Sequence, residues 1–291
     1  VMIGQNVNKT ATTGNYNVII GQEAAQSSTG MDNCVVIGRQ AVGGGTAAGD
    51  NNVSIGYQAA YSTTTANLNT AVGVSAMYSN TTGNYNVALG DLAMSGNVGG
   101  SRQVAVGHEA MRMFTQAGDV QNTAVGQKAM YNIQTGSHNV AVGNEAMFGA
   151  TGDDNDYNVA VGSQALYSTD AADSNVAVGY KAGYAITEGS NNTFVGKQAG
   201  DSVTTGQGNV IMGTDAGQTF DTESYMTAVG YEAMKDAVGD NYSVAIGMRA
   251  MADADSTGGQ EIAIGYQAGR YFGAGTSDSV VIGESAGAGS D

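Results

Sequence analysis

The stretch Asn84-Tyr85-Asn86-Val87-Ala88-Leu89-Gly90-Asp91-Leu92-Ala93-Met94 is one unit of a repeat that occupies the whole chain. Its kernel is a polar residue, a β-branched residue, a small residue, an aliphatic residue and Gly, followed by two variable residues and Ala. The kernel Gly returns at positions 4, 21, 38, 56, 73, 90, 107, 126, 143, 162, 179, 196, 213, 230, 247, 265 and 283. These seventeen copies are spaced 17 to 19 residues apart and none is missing. Self-similarity at a short fixed period marks a solenoid, in which stacked units bury together what none can bury alone.

Aligned on that Gly, the columns define the unit. One residue before Gly the side chain is always apolar, and three before it is always β-branched, as in Val87 and Leu89. Between them stands a mostly small residue, such as Ala71, Ala88 or Ala105. Large, small, large is the period-2 pattern of a short strand with one face buried. A helix would need a 3.6-residue period over a longer window, and a Gly every turn would weaken it. Three residues after Gly the column is Ala in sixteen of seventeen copies, with Val7 the exception. So strict a demand for a methyl group means close approach of the opposite wall of a thin coil. The next column alternates Met77, Met94, Met111, Met130, Met147, Met234 and Met251 with Gly183, Gly200, Gly217, Gly269 and Gly287. This Met row reads as flexible packing, because thioethers fill irregular gaps.

Four residues before Gly stand Asn17, Asn52, Asn69, Asn86, Asn122, Asn139, Asn158, Asn175, Asn192 and Asn209. Stacked coil on coil, they form an amide ladder offering donors and acceptors to each other and to the turn backbone. Cys34 occupies the same column and reads as a small, partly buried substitute, not a nucleophile. Polar stretches such as Ser79–Gly83 and Thr151–Asp156 connect the kernels, absorb the extra residues of the longer copies, and read as loops along one edge. The columns together predict an all-β fold: a parallel β-roll or β-helix of 17 coils, about 17–19 residues each, with mostly Val and Ala inside. Residues 1–291 form one continuous array, and a chain that begins inside a kernel, at Val1-Met2-Ile3-Gly4, reads as a piece of a longer protein or its processed product.

The composition excludes several classes. A formal charge of −16, from 26 acidic against 10 basic residues, is unsuited to nucleic acid, which demands clustered Lys and Arg. The 45 Gly lack a Gly-X-Y period, which rules out collagen, and a single Cys rules out an internal disulfide framework. No apolar run of about 20 residues provides for membrane insertion. His108 and His138 fall in different columns and read as solvated surface, not a metal pair. Asp153, Asp154 and Asp156 could hold Ca²⁺, but the Gly-Gly-x-Gly-x-Asp repeat of calcium rolls does not recur, and a solvated acidic loop is the expectation. Gly43-Gly44-Gly45 sits in a loop and opens no helix, so it is not a phosphate cradle. No catalytic constellation is visible, and neither an enzyme nor a cofactor is expected.

The kernels Asn86-Val87-Ala88-Leu89-Gly90, Asn139-Val140-Ala141-Val142-Gly143 and Ser243-Val244-Ala245-Ile246-Gly247 resemble the head repeats of YadA-type trimeric autotransporter adhesins. The fuller unit Asn69–Gly83 is more similar still to repeats of bacteriophage tail fibres. The resemblance implies a left-handed, homotrimeric β-roll that serves as an extracellular fibre, on a virion tail or a bacterial cell surface, and touches a host.

Two aromatic rows are the candidate receptor contacts. Five residues after Gly come Tyr61, Tyr78, Tyr131, Phe148, Tyr167 and Tyr184; five before it come Tyr16, Tyr85, Tyr157, Tyr225 and Tyr242. Flat rings with a polar tip suit a host-surface glycan or protein, and equally suit stacking on one another at the seams between subunits. Two other functions fit the repeat. Thr12, Thr29, Thr46, Thr64, Thr81, Thr115, Thr151, Thr187 and Thr204, eight residues after Gly, could order water as an ice-binding face. A purely architectural filament that binds nothing is the other.

Overall fold

A computed structural model describes residues 1–10, 13–150, 154–237, 241–255, 260–273 and 278–288. The chain divides into two compact units, one built on Val1–Glu145 and the other on Ala146–Ala150 with Asp154–Asp291. Each is a parallel β-solenoid, and strands are the only regular elements among the described residues. Thr12, Thr151 and Asp153 lie outside the described residues.

In the first unit the kernels form three-residue strands, as in Val35–Ile37, Val87–Leu89 and Val104–Val106, except for the two-residue Met2–Ile3. Like columns pair with like: Val87 lies beside Val104, Ala88 beside Ala105 and Leu89 beside Val106. The second unit repeats the arrangement, with Val176 beside Thr193 and Val178 beside Val195. The backbone bonds continue through the turns, where Glu109 N–H donates to Asp91 O at 2.9 Å and Met94 N–H to Ala110 O at 2.9 Å. One coil is thus hydrogen-bonded to the next along much of its circuit, which is why short strands suffice.

Such a circuit requires the peptide groups to point up and down the stack in places where a right-handed backbone would turn them sideways. The chain meets this with left-handed residues at fixed columns: Tyr85 at φ 59°, Leu92 at 56° and Met94 at 53° in one coil. Each costs a non-Gly residue roughly 1–2 kcal/mol, recovered from the stacked hydrogen bonds and from burial. The kernel Gly is more demanding. Gly90 has φ 141°, and a Cβ on it would collide with the carbonyl of Gly107 in the next coil.

The interior is made from the small residues. Ala88, Ala93 and Met94 are all fully buried, as are their counterparts Ala105, Ala110 and Met111. Both columns are closed off from solvent in the interior. Where Met gives way to Gly, a neighbouring ring takes the space: Gly183 and Gly200 both abut Phe194, and Gly217 abuts Ile211 and Phe220. Volume is conserved although the residues are not, as close packing requires.

One expectation is reversed. The large strand residues, not the small one, look outward: the three-residue strands of each unit show a buried centre flanked by half-exposed or exposed ends. Val belongs mainly to the outer face, and the Ala and Met columns are closed within their own coil, so neither is free to form a seam between subunits. The physical reason is the alternation of the strand: with its centre turned inward, whether Ala88, Phe194 or Ile211, the two flanking side chains must turn outward.

The amide ladder forms, mainly with the backbone. Asn17, Asn52, Asn69, Asn86, Asn122, Asn158, Asn175, Asn192 and Asn209 each donate from Nδ2 to a carbonyl 14 residues on, at 2.7 to 2.9 Å. Each Oδ1 also accepts the N–H of the same column in the next coil, as Asn122 does from Asn139 at 2.9 Å and Asn175 from Asn192 at 2.9 Å. Both halves of the amide are used, which explains Asn over Asp or Leu.

Cys34 imitates this with sulfur. Its Sγ donates to Gly49 O at 3.5 Å and accepts from Asn52 N–H at 3.4 Å, the two partners an Asn would have. Burial pushes the thiol up from its ordinary value. Cys34 should therefore react with a disulfide reagent only as fast as its coil opens, and reaction at the rate of a free thiol would contradict the burial. Replacing weak sulfur bonds with amide bonds, Cys34→Asn is expected to add about 1 kcal/mol in a urea titration.

Candidate receptor-contact surface

The two aromatic rows differ in environment. The row after Gly is half-buried and stacked: Tyr61 on Tyr78 with centroids 5.0 Å apart and planes 7° apart, and Phe148, Tyr167 and Tyr184 in succession at 5.0 Å. The ring spacing matches the strand spacing of about 4.8 Å, so the stack follows directly from the register. Cations extend it. Arg112 lies over Tyr131 with Cζ 5.7 Å from the centroid, Lys128 is 5.5 Å from the same ring, and Lys181 is 4.7 Å from Tyr184. These rings stack on one another within one chain and are half-buried.

The row before Gly projects. Tyr16 is 87% exposed, Tyr85 56%, Tyr157 59% and Tyr242 60%. Tyr225 stacks on Tyr242 at 5.2 Å, and Arg102 sits over Tyr85 at 5.8 Å. Left-handed backbone at these residues turns each side chain away from the coil; Tyr85 and Tyr157 have φ 59° and 58°.

A third row escaped the sequence reading. Tyr57, Tyr180, Tyr231 and Tyr266 directly follow kernel Gly residues and are exposed. Arg39 lies over Tyr57 at 5.6 Å and Lys181 beside Tyr180 at 5.6 Å. Only four copies carry Tyr in this column, too few for a pattern by counting. The signal was positional, since the column directly continues the outward strand face. Val74 and Met248 occupy it elsewhere and are also exposed.

That strand face carries apolar side chains outward in both units. In the first, Leu89 and Val142 stand in it; in the second, Val176, Val178, Val210, Met212 and Ile246 are all exposed. Contiguous apolar surface of this kind ordinarily marks an interaction site.

The charged groups are arranged as clamps. Glu109 pairs with Arg112 of its own coil and Lys128 of the next, the latter at 3.8 Å. Glu232 repeats the motif with Lys235 at 3.7 Å and Arg249 at 2.5 Å. The hydrogen bond from Arg249 holds the Glu232 carboxyl below its usual range. Asp201, next in column after Tyr184, is pushed up by burial. His108 is half-exposed, 3.6 Å from Asp91 and 3.8 Å from Glu109. Among the described residues no group of three or more His, Cys, Asp or Glu is placed to hold a metal ion, and no helix is long and apolar enough to cross a membrane.

The Thr row is largely committed to the backbone. Thr64, Thr81, Thr187 and Thr204 donate their hydroxyls to carbonyls of the next coil at 2.9 to 3.3 Å. Those hydroxyl protons are not available to order water.

Comparison with known protein families and with curated proteins finds no match to this chain.

Proposed function

We propose that the chain is a structural and adhesive segment of a homotrimeric extracellular fibre, on a virion tail or a bacterial surface, whose projecting rings contact a host glycan. The observation that carries this reading is the outward Val/Ile/Leu strand face. A monomer gains nothing by leaving such a face in water, at roughly 25 cal/mol per Å² of apolar area. Three copies facing inward would cover it and leave the Tyr16, Tyr85, Tyr157 and Tyr242 row outside. The acidic surface keeps so long a β structure from associating side to side at random. The commitment of the Thr64, Thr81, Thr187 and Thr204 hydroxyls to backbone carbonyls supports ice binding less well, and the projecting rings distinguish a binding fibre from a bare filament.

Light scattering after size exclusion tests the assembly. The expected mass is three times 29.3 kDa, and introducing Lys at Val178 and Met212 should yield monomers. A monomeric parent chain would overturn the trimer. For the adhesive part, glycan-array binding should fall when Tyr16, Tyr85, Tyr157 and Tyr242 are together changed to Ala. Binding that survives all four changes would remove the row from the contact.

A further inference from the structure

The aromatic stack of the first unit is interrupted at one position. In the column five residues after Gly, Tyr61 and Tyr78 are followed by Ser95, then Arg112, then Tyr131. Tyr78 is fixed from behind by Tyr61 at 5.0 Å. Arg112 is fixed by Glu109, by the Tyr131 hydroxyl at 3.1 Å and by the Tyr131 face. Between the two walls, where the ladder would place a ring, Ser95 offers only a hydroxyl. A cleft of about 290 Å³ opens there, with Leu92 and Met113 as apolar lining and Ser79 beside Ser95 at its polar edge. The backbone around it is tied down: Ser79 N–H donates to Ser95 O at 3.0 Å, and Gly96 N–H to Arg112 O at 2.9 Å.

We infer that this missing rung is a binding slot for one pyranose ring, sandwiched between the Tyr78 face and the Arg112 guanidinium. The inference rests on the glycan-contact reading and gives it a location. Two strand spacings separate the walls, roughly 10 Å from plane to plane. A flat ring in van der Waals contact on both sides takes up about 7–8 Å of that. A puckered ring with substituents takes up the remainder. Its C–H face meets the Tyr78 ring, and its hydroxyls meet Arg112, Ser95 and Ser79, a mixture an aromatic guest would leave half unused. Both walls are held before the guest arrives, so little ordering cost falls on binding.

Saturation-transfer NMR with methyl pyranosides of glucose, galactose, mannose and N-acetylglucosamine, beside phenol, tests the slot on the full chain. Glycan-array binding is measured in parallel. Ser95→Tyr completes the ladder and fills the slot; it should melt no lower than the parent yet weaken pyranoside binding at least about ten-fold. Tyr78→Leu keeps bulk but removes the ring, and should weaken binding similarly, so the test stands even if the first variant folds poorly. Loss of pyranoside binding in both variants, each of which leaves the Tyr16, Tyr85, Tyr157 and Tyr242 row intact, supports the slot. Pyranoside and array binding undiminished in both variants overturns the slot and leaves glycan contact elsewhere intact. Binding of phenol without any pyranoside overturns the sugar assignment. A parent chain that binds no saccharide in either assay overturns the slot and the glycan reading together.

Discussion

Gly90→Ala is expected to be among the most damaging single-methyl changes in this chain, costing at least about 3 kcal/mol. Two effects add. The backbone at φ 141° lies where only Gly is comfortable, and the new Cβ meets the Gly107 carbonyl, which is part of the next coil's own backbone. Neither can be relieved by a side-chain movement. In a solenoid each coil is stabilised by its neighbours, so the damage should begin locally. Hydrogen exchange should show coils around Gly90 and Gly107 losing protection, accompanied by an earlier urea midpoint. Gly273→Ala is the matched control: no atom of the described residues lies within 4 Å of its new Cβ and its φ is not left-handed. That change should be neutral or stabilise by up to about 1 kcal/mol. Equal effects at the two sites would mean that Gly content, not the close approach of coils, is what the repeat requires.

Asn175→Ala is expected to cost about 3 kcal/mol by stranding two buried backbone groups. The Asn175 amide donates to Gly189 O at 2.9 Å and accepts from Asn192 N–H at 2.9 Å, and the residue is fully buried. Asn175→Asp should be worse still, because it turns a carboxylate oxygen toward the Gly189 carbonyl in a buried site. The pair is read by urea titration. A loss below about 1 kcal/mol in Asn175→Ala would show that the stranded groups find other partners.

The strictest columns were legible in the sequence for the reason these changes should hurt. Gly90 and Ala93 stand where a single residue type satisfies the geometry, so all or nearly all coils repeat the choice, and ten coils repeat that of Asn86. Val87 and Leu89 misled because aliphatic side chains ordinarily report a core, and the alternation alone does not say which face of a strand is turned in. Left-handed backbone at Met94 and Leu92 was hidden by ordinary side chains, since Gly alone advertises that conformation. The slot at Ser95 was illegible for another reason. An interruption in a row has no meaning until the spacing of the row is known.

In-register stacking also bears on how a chain like this changes over generations. Excising Val87–Gln103 would join Asn86 to Val104 and bring every column of the shortened array back into alignment. Unequal recombination between repeats therefore removes or inserts seventeen codons at a time and leaves no seam to repair. Each event alters the stack by one strand spacing, about 4.8 Å. Reach becomes a quantity that selection adjusts in fixed steps, independently of the chemistry that individual coils display.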